Sequence, residues 1–227
     1  MVNGKFRGRA TTAFGIHNSP FTIATIPRLY AIVDAAQFDS LTDVTASLLN
    51  AGVRLIQYRD KKSSSRELYM ASIKLAERVR LAGGTFIVND RADIALAADT
   101  DGVHLGQEDL PPTLARRLLP PGKIIGLSTH SIAQVAAADR EPVDYIAFGP
   151  IFATASKAKP EPVVGLAGLA EARKATGKPL VAIGGITTEN APAVIDAGAD
   201  SVAVIQALLG APDVGERARK FLAVLRE

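Results

Sequence analysis

The chain has 227 residues, 48% of them apolar, a formal net charge of +3 and no cysteine. Such a length suits one large domain with a sizeable core, and the missing cysteines exclude disulfides, thiolate metal sites and a cysteine nucleophile while fitting a cytoplasmic location. No apolar run approaches the ~18–20 residues of a membrane span.

The charge is unevenly placed. Residues 1–26 hold Lys5, Arg7 and Arg9 and no acid, so the remaining body is neutral. A nucleic-acid partner would need a basic patch on that body, and none is evident. The first 26 residues are rich in Gly, Ser, Thr and Asn and lack periodicity. They read as a disordered extension before a single catalytic domain over residues 27–227. The lack of acids keeps an organellar transit peptide as the competing reading, whereas a signal peptide would need an apolar core that is missing.

From residue 28 onward, apolar runs alternate with helical patterns. Strands are expected at 28–34, 52–59, 85–88, 102–105, 123–127, 144–148, 179–183 and 200–205. Helices are expected at 40–49, 65–81, 92–98, about 112–119, 131–138, 166–175 and 188–197, followed by a short turn at 206–209 and a last helix near 214–226. Ser40 is a candidate N-cap with Asp43 at capping-box spacing. Eight strand–helix units in about 200 residues match the (β/α)8, or TIM, barrel in a single domain. An open doubly wound sheet is the alternative, but no glycine fingerprint follows the first strand.

Chemistry in such a barrel gathers where the strands end at their C-termini. Those ends carry Asp34; Gln57, Arg59 and Lys61; Asn89 and Asp90; Gln107, Glu108 and Asp109; Ser128; Thr154, Ser156 and Lys157; Gly184 and Gly185; and Ile205 with Gln206. The Gly-Gly turn, with the turn after the eighth strand, suits a phosphate, because bare backbone amides can approach an anion closely. Asp90 and Asp109 end neighbouring strands and suit a hard cation, Mg²⁺ above all; helix capping is the alternative for each. Arg59 and Lys61 suit a diphosphate beside that ion, or else a solvated rim. His104 and His130 have no partner at ligand spacing and read as structural. No Gly-x-Ser-x-Gly elbow supports acyl transfer.

The ordered set Gln57-Tyr-Arg-Asp-Lys61, Val88-Asn-Asp90, His104-Leu-Gly-Gln-Glu-Asp109, Gly126-Leu-Ser128, Gly149-Pro-Ile-Phe-Ala-Thr-Ala-Ser-Lys157 and Ala182-Ile-Gly-Gly-Ile186 resembles the thiamine phosphate synthase family, over about residues 28–225. That resemblance implies a transferase joining 4-amino-2-methyl-5-pyrimidinylmethyl diphosphate to a methylthiazole phosphate, often its carboxylate, in thiamine biosynthesis. It implies that diphosphate leaves by a dissociative, Mg²⁺-assisted route. It also implies roles. Gln57, Arg59, Lys61, Asn89, Ser128 and Lys157 would hold the pyrimidine diphosphate, with Arg59, Lys61 and Lys157 catalytic. Thr154 and Ser156 would hold the thiazole, and Gly185, Ile205 and Gln206 its phosphate. Tyr58, Asp60 and Ala155, inside the same motifs, count among the substrate-binding positions. Asp90 and Asp109 would bind Mg²⁺. This chain departs from the family at Ala153, commonly proline, at Ser156, commonly threonine, and at Gln206, commonly serine; the last puts a side-chain contact to the thiazole phosphate in question. The implied partners are small molecules, with no nucleic acid and no membrane, and assembly of identical copies is compatible with the sequence. A thiazole tautomerase and a non-catalytic thiazole-phosphate-binding barrel are the alternatives.

Overall fold

A computed structural model describes residues 25–38, 40–154 and 161–226. Its strands are β1 (Leu29–Asp34), β2 (Leu55–Arg59), β3 (Thr85–Asn89), β4 (Gly102–Leu105), β5 (Ile124–Thr129), β6 (Tyr145–Phe148), β7 (Leu180–Ile183) and β8 (Ser201–Val204). Helices α1 (Leu41–Ala51), α2 (Ser65–Leu81), α3 (Ala92–Ala97), α4 (Pro112–Leu118), α5 (Ile132–Asp139), α6 (Gly165–Lys174) and α7 (Ala191–Asp196) lie between them. A short α8 (Gln206–Leu209) and a terminal α9 (Val214–Leu225) complete the order. Each strand pairs in parallel with the next, and β8 returns to β1. The chain is therefore a closed single-domain (β/α)8 barrel, as the alternation of elements predicts.

The strands are buried on both sides, and their period of two splits the core into two clusters. Tyr30, Ile32, Leu55, Ile87, Ile124, Tyr145, Ala147, Val181 and Ala203 pack inside the barrel. Their sequence neighbours, such as Ala31, Ile56, Val88, Ile146 and Val202, face the helix layer. The interior is filled by matching large with small: Gly126 pairs with Tyr145 across β5 and β6. A methyl group on Gly126 would lie 2.0 Å from the Tyr145 ring.

Several element boundaries differ from expectation for local reasons. Strand β2 starts at Leu55, not at residue 52, because Gly52 (φ 108°) caps α1 in the left-handed region. Helix α7 starts at Ala191, not at residue 188, because Asn190 Oδ1 accepts from the Thr187 amide at 2.8 Å and closes a turn there. At Ser40 the side chain accepts from the Asp43 amide, while the full reciprocal capping box forms at Ser64 and Glu67, at the start of α2. Ile26, placed by the sequence at the end of the tail, is buried in the inner cluster. The disordered extension expected before it falls, for residues 1–24, outside the described residues.

The end of the barrel opposite the strand C-termini is tied by three carboxylates, each just before an even-numbered strand. Asp101 accepts from the Phe86 amide at 2.8 Å, Asp144 from the Ile125 amide at 2.7 Å and Asp200 from the Leu180 amide at 2.8 Å. Asp144 and Asp200 also hold Arg116 and Arg173, at 2.6 and 2.8 Å. These links clamp strand pairs β3/β4, β5/β6 and β7/β8 at their starts, which leaves the opposite end available for chemistry.

Candidate active site

At the strand C-termini lies a cavity of about 850 Å³. Its lining takes Gln57, Arg59 and Lys61 from β2 and its exit, Asn89 and Asp90 after β3, and Asp109 after β4. Ser128 on β5, Thr154 after β6, Gly184 and Gly185 after β7, and Ile205 and Gln206 after β8 complete the predicted set that meets there. Gln57, Arg59 and Lys61 reach one mouth because Gln57 and Arg59 share the inward face, while the turn at Asp60 carries Lys61 round to it. Asp60 shapes that turn by accepting from the Lys62 and Ser63 amides at 2.9 and 3.0 Å.

Asp90 and Asp109 form the acidic wall. Asp90 sits at φ 62°, a strained region for a non-glycine residue, held where its amide donates to the His104 carbonyl at 2.7 Å. Asp109 Oδ2 accepts from the Gly106 amide at 2.6 Å, inside its own loop, while the N-cap position of α4 belongs to Pro111. Burial raises the Asp109 carboxyl above the ordinary carboxylate range; Asp90 beside it adds to the rise, while the Gly106 amide and Lys61 oppose it. Two carboxylates turned on each other suit a cation between them. Among the described residues, no three His, Cys, Asp or Glu side chains gather as metal ligands. Two carboxylates are hard oxygen donors of the kind that suits Mg²⁺ completed by water and phosphate.

The cations on this wall are already engaged. Arg59 is ion-paired with Asp34, and Lys61 with Asp90. Asp34, the carboxylate at the end of β1, thereby holds Arg59 at the mouth, and its other oxygen accepts from the Ala36 amide at 3.1 Å. A diphosphate entering here would meet a preformed guanidinium and a half-exposed ammonium.

Across the cavity, Gly184 (φ 102°) and Gly185 (φ 64°) both adopt left-handed backbone. A methyl group on Gly184 would lie 2.6 Å from Pro150, and one on Gly185 2.6 Å from the Ala153 carbonyl. The segment after β6 is laced onto this turn, with the Ile151 amide donating to Ile183 O and the Phe152 amide to Gly184 O, at 2.9 and 3.0 Å. Both glycines are thus required by backbone shape and by close approach, and their amides stay uncovered by side chains of their own. No side chain caps α8, which begins beside them. Gln206, whose side-chain contact the sequence left in question, folds back along α8: its Nε2 would lie 2.8 Å from a methyl group on Gly210, four residues on.

Two predicted binding residues are not brought to the cavity. Tyr58 faces the helix layer, because it alternates with Gln57, and its hydroxyl donates to Asp60 Oδ2 at 3.0 Å. Asp60 is spent on that bond and on its turn. Ala155, Ser156 and Lys157 lie outside the described residues. The two histidines, read from the sequence as structural, are hydrogen-bonded but also line the cavity: His104 is bonded through both ring nitrogens, and His130 Nδ1 bonds to Gly149 O at 2.7 Å. Sequence reasoning missed the floor, where Tyr30 and Tyr145 meet inside the barrel. The inward alternation of β1 and β6 carried the only signal for them.

A barrel whose mouth opposes an acidic, cation-flanked wall to a glycine turn has the layout in which (β/α)8 enzymes commonly hold phosphates. The family model described as thiamine monophosphate synthase matches residues 29–208. A thiamine-phosphate synthase of Koribacter versatilis is 52% identical over 206 residues, covering 88% of this chain and 96% of that protein. One from Chlorobium luteolum is 46% identical over 208 residues, 92% of this chain and 95% of that protein. The solved thiamine phosphate pyrophosphorylase of Pyrococcus furiosus superposes with a TM-score of 0.81 at 35% identity, over 88% of this chain and 95% of that one. The chain belongs to the thiamine monophosphate synthase family. No described helix is long and apolar enough to cross a membrane.

Proposed function

We propose that this mouth couples 4-amino-2-methyl-5-pyrimidinylmethyl diphosphate to a methylthiazole phosphate or its carboxylate, releasing thiamine phosphate and diphosphate, with carbon dioxide from the carboxylate. One observation carries the reading. Two anion-holding regions of different chemistry, the Asp90/Asp109 wall with Arg59 and Lys61, and the Gly184–Gly185 turn, share one cavity of about 850 Å³. A diphosphate with its cation suits the first, and a monophosphate suits the second. Their separation within one space is what joining two phosphorylated molecules requires.

Asp90 and Asp109 would hold Mg²⁺, which when bound neutralises charge on the departing diphosphate. Arg59, braced by Asp34, orients the same diphosphate, and Lys61 exchanges Asp90 for it. Lys157 joins them on motif alone. Asn89 and Ser128 border the pyrimidine, and Thr154 and Ser156 the thiazole. The aminopyrimidine stabilises the methylene cation left behind, so no strong base is needed; the histidines of the cavity are tied to Tyr145, Ser128 and Gly149. The cradle then holds the thiazole so that its ring nitrogen meets that cation.

Supplying both substrates and following thiamine phosphate against diphosphate tests the reading; one of each per turnover supports it. Thiazole isomerisation without coupling would favour the tautomerase, and binding of the thiazole phosphate without turnover the non-catalytic barrel. The two regions also separate by mutation. Gly185→Ala forces a methyl group against Ala153 O at a positive φ. It should raise KM for the thiazole phosphate about tenfold, a cost on the order of 1–2 kcal/mol, and leave KM for the pyrimidine diphosphate nearly unchanged. Equal rises in both constants would show that the two substrates do not occupy separate regions.

A further inference from the structure

Below the cavity floor, five side chains from five strands form one continuous hydrogen-bonded chain. Gln57 Nε2 donates to the Tyr30 hydroxyl at 2.8 Å. The Tyr30 and Tyr145 hydroxyls are 2.9 Å apart. Tyr145 Oη lies 2.8 Å from His104 Nδ1, and His104 Nε2 lies 2.8 Å from Ser128 Oγ. The rings are locked by packing: His104 stacks on Tyr145 at 5.5 Å, and Tyr145 meets Tyr30 edge-on at 5.9 Å. Gly126 vacates the space that the Tyr145 ring fills. Gln57, His104 and Ser128 line the cavity, whereas Tyr30 and Tyr145 are fully buried.

A hydroxyl has one hydrogen to give, so the first bond dictates the rest. Tyr30 accepts from Gln57 and must donate to Tyr145. Tyr145 must then donate to His104 Nδ1. A neutral ring accepting at Nδ1 carries its proton on Nε2 and donates to Ser128 Oγ, which turns the serine hydrogen away from the ring. Burial raises the phenols of Tyr30 and Tyr145, keeping both as neutral donors.

We propose that Tyr30, Tyr145 and His104 are positioning residues whose one-way hydrogen-bond chain makes Gln57 present its carbonyl oxygen, and Ser128 its hydroxyl hydrogen, to the cavity. This rests on the pyrimidine reading above and deepens it into a specificity device. An acceptor and a donor fixed at the floor match an exocyclic amine beside a bare ring nitrogen. They mismatch the 4-oxo form, which offers an acceptor beside a ring N–H. Reversing the preference would require the whole chain to invert together, with Gln57 flipped and the His104 proton moved to Nδ1.

Two measurements test this. In the wild-type protein, ¹⁵N NMR of the imidazoles should show His104 in one neutral tautomer, protonated on Nε2; protonation on Nδ1 overturns the stated direction whatever the protein's activity. Second, unreactive 4-amino- and 4-oxo-2-methyl-5-pyrimidinylmethyl monophosphates are compared as ligands. The wild type should prefer the amino form, and Tyr145→Phe, which cuts the chain at its centre, should shrink that preference about tenfold, the worth of one misdirected buried hydrogen bond. Affinity for the thiazole phosphate should stay within about twofold, well below that single-bond effect. A preference unchanged in Tyr145→Phe, or equal loss of affinity for all ligands, overturns the proposal. Should Tyr145→Phe fail to fold, Tyr30→Phe cuts the next link and is read the same way. Failure of the wild type to bind either pyrimidine would instead defeat the functional reading and leave the tautomer result standing.

Discussion

Asp109→Ala should lower coupling turnover by about 10²–10³-fold, the usual effect of removing one preorganised electrostatic group from a sheltered site. Affinity for the thiazole phosphate should hardly change, because Gly184 and Gly185 lie on the other wall. The carboxyl is partly buried beside Asp90 and is raised by burial first and by Asp90 second. A cation between the two acids would offset their mutual repulsion. The single backbone bond to Asp109, from Gly106 at 2.6 Å, closes a local turn and offers a rival explanation. Thermal unfolding and thiazole-phosphate titration of the variant separate the two. A turnover defect with near-native Tm and affinity identifies a metal ligand; parallel loss of all three identifies a loop brace.

Asp144→Ala should destabilise the fold by about 3–5 kcal/mol, because it leaves a buried guanidinium without its counter-charge. The Arg116 and Asp144 side chains are 8% and 0% exposed and 2.6 Å apart. The same carboxylate oxygen accepts from the Ile125 amide at 2.7 Å, so the change also strands a buried donor in β5. For a chain of this size the loss corresponds to a fall in Tm of roughly 10 °C or more. Asp144→Asn keeps an acceptor for one of the two donors and should cost less. Calorimetry checks both. Equal, small shifts would mean that the clamp at the strand starts contributes little, and that the bonds from Arg116 to the Lys123 and Pro142 carbonyls suffice to hold α4.

The barrel was legible in the sequence because its signals are local. Apolar runs such as Leu180–Ile183, broken by glycine and proline, give strands, and the intervening patterns give helices; only one closed arrangement suits eight such units. The site was legible as a set of strand ends, and Gln57, Arg59, Lys61, Asn89, Asp90, Asp109, Ser128 and Gly185 do meet at one cavity. What stayed hidden is pairing across the barrel. Period two fixes which face Tyr58 takes, and applying it to Tyr58 would have removed that residue from the binding set. No local pattern shows that Asp34 secures Arg59, 25 residues away, or that Tyr30 reaches Tyr145 across 115 residues. These are consequences of closure, as is the fit of Gly126 against a tyrosine from the next strand.

The most direct test of two anion regions joined by a metal-assisted step is coupling turnover during a Mg²⁺ titration after chelation, with diphosphate and thiamine phosphate both quantified. The account predicts one diphosphate per thiamine phosphate, turnover lost on chelation and restored by Mg²⁺, and thiazole-phosphate binding unaffected throughout. Turnover undiminished without divalent cation would contradict it.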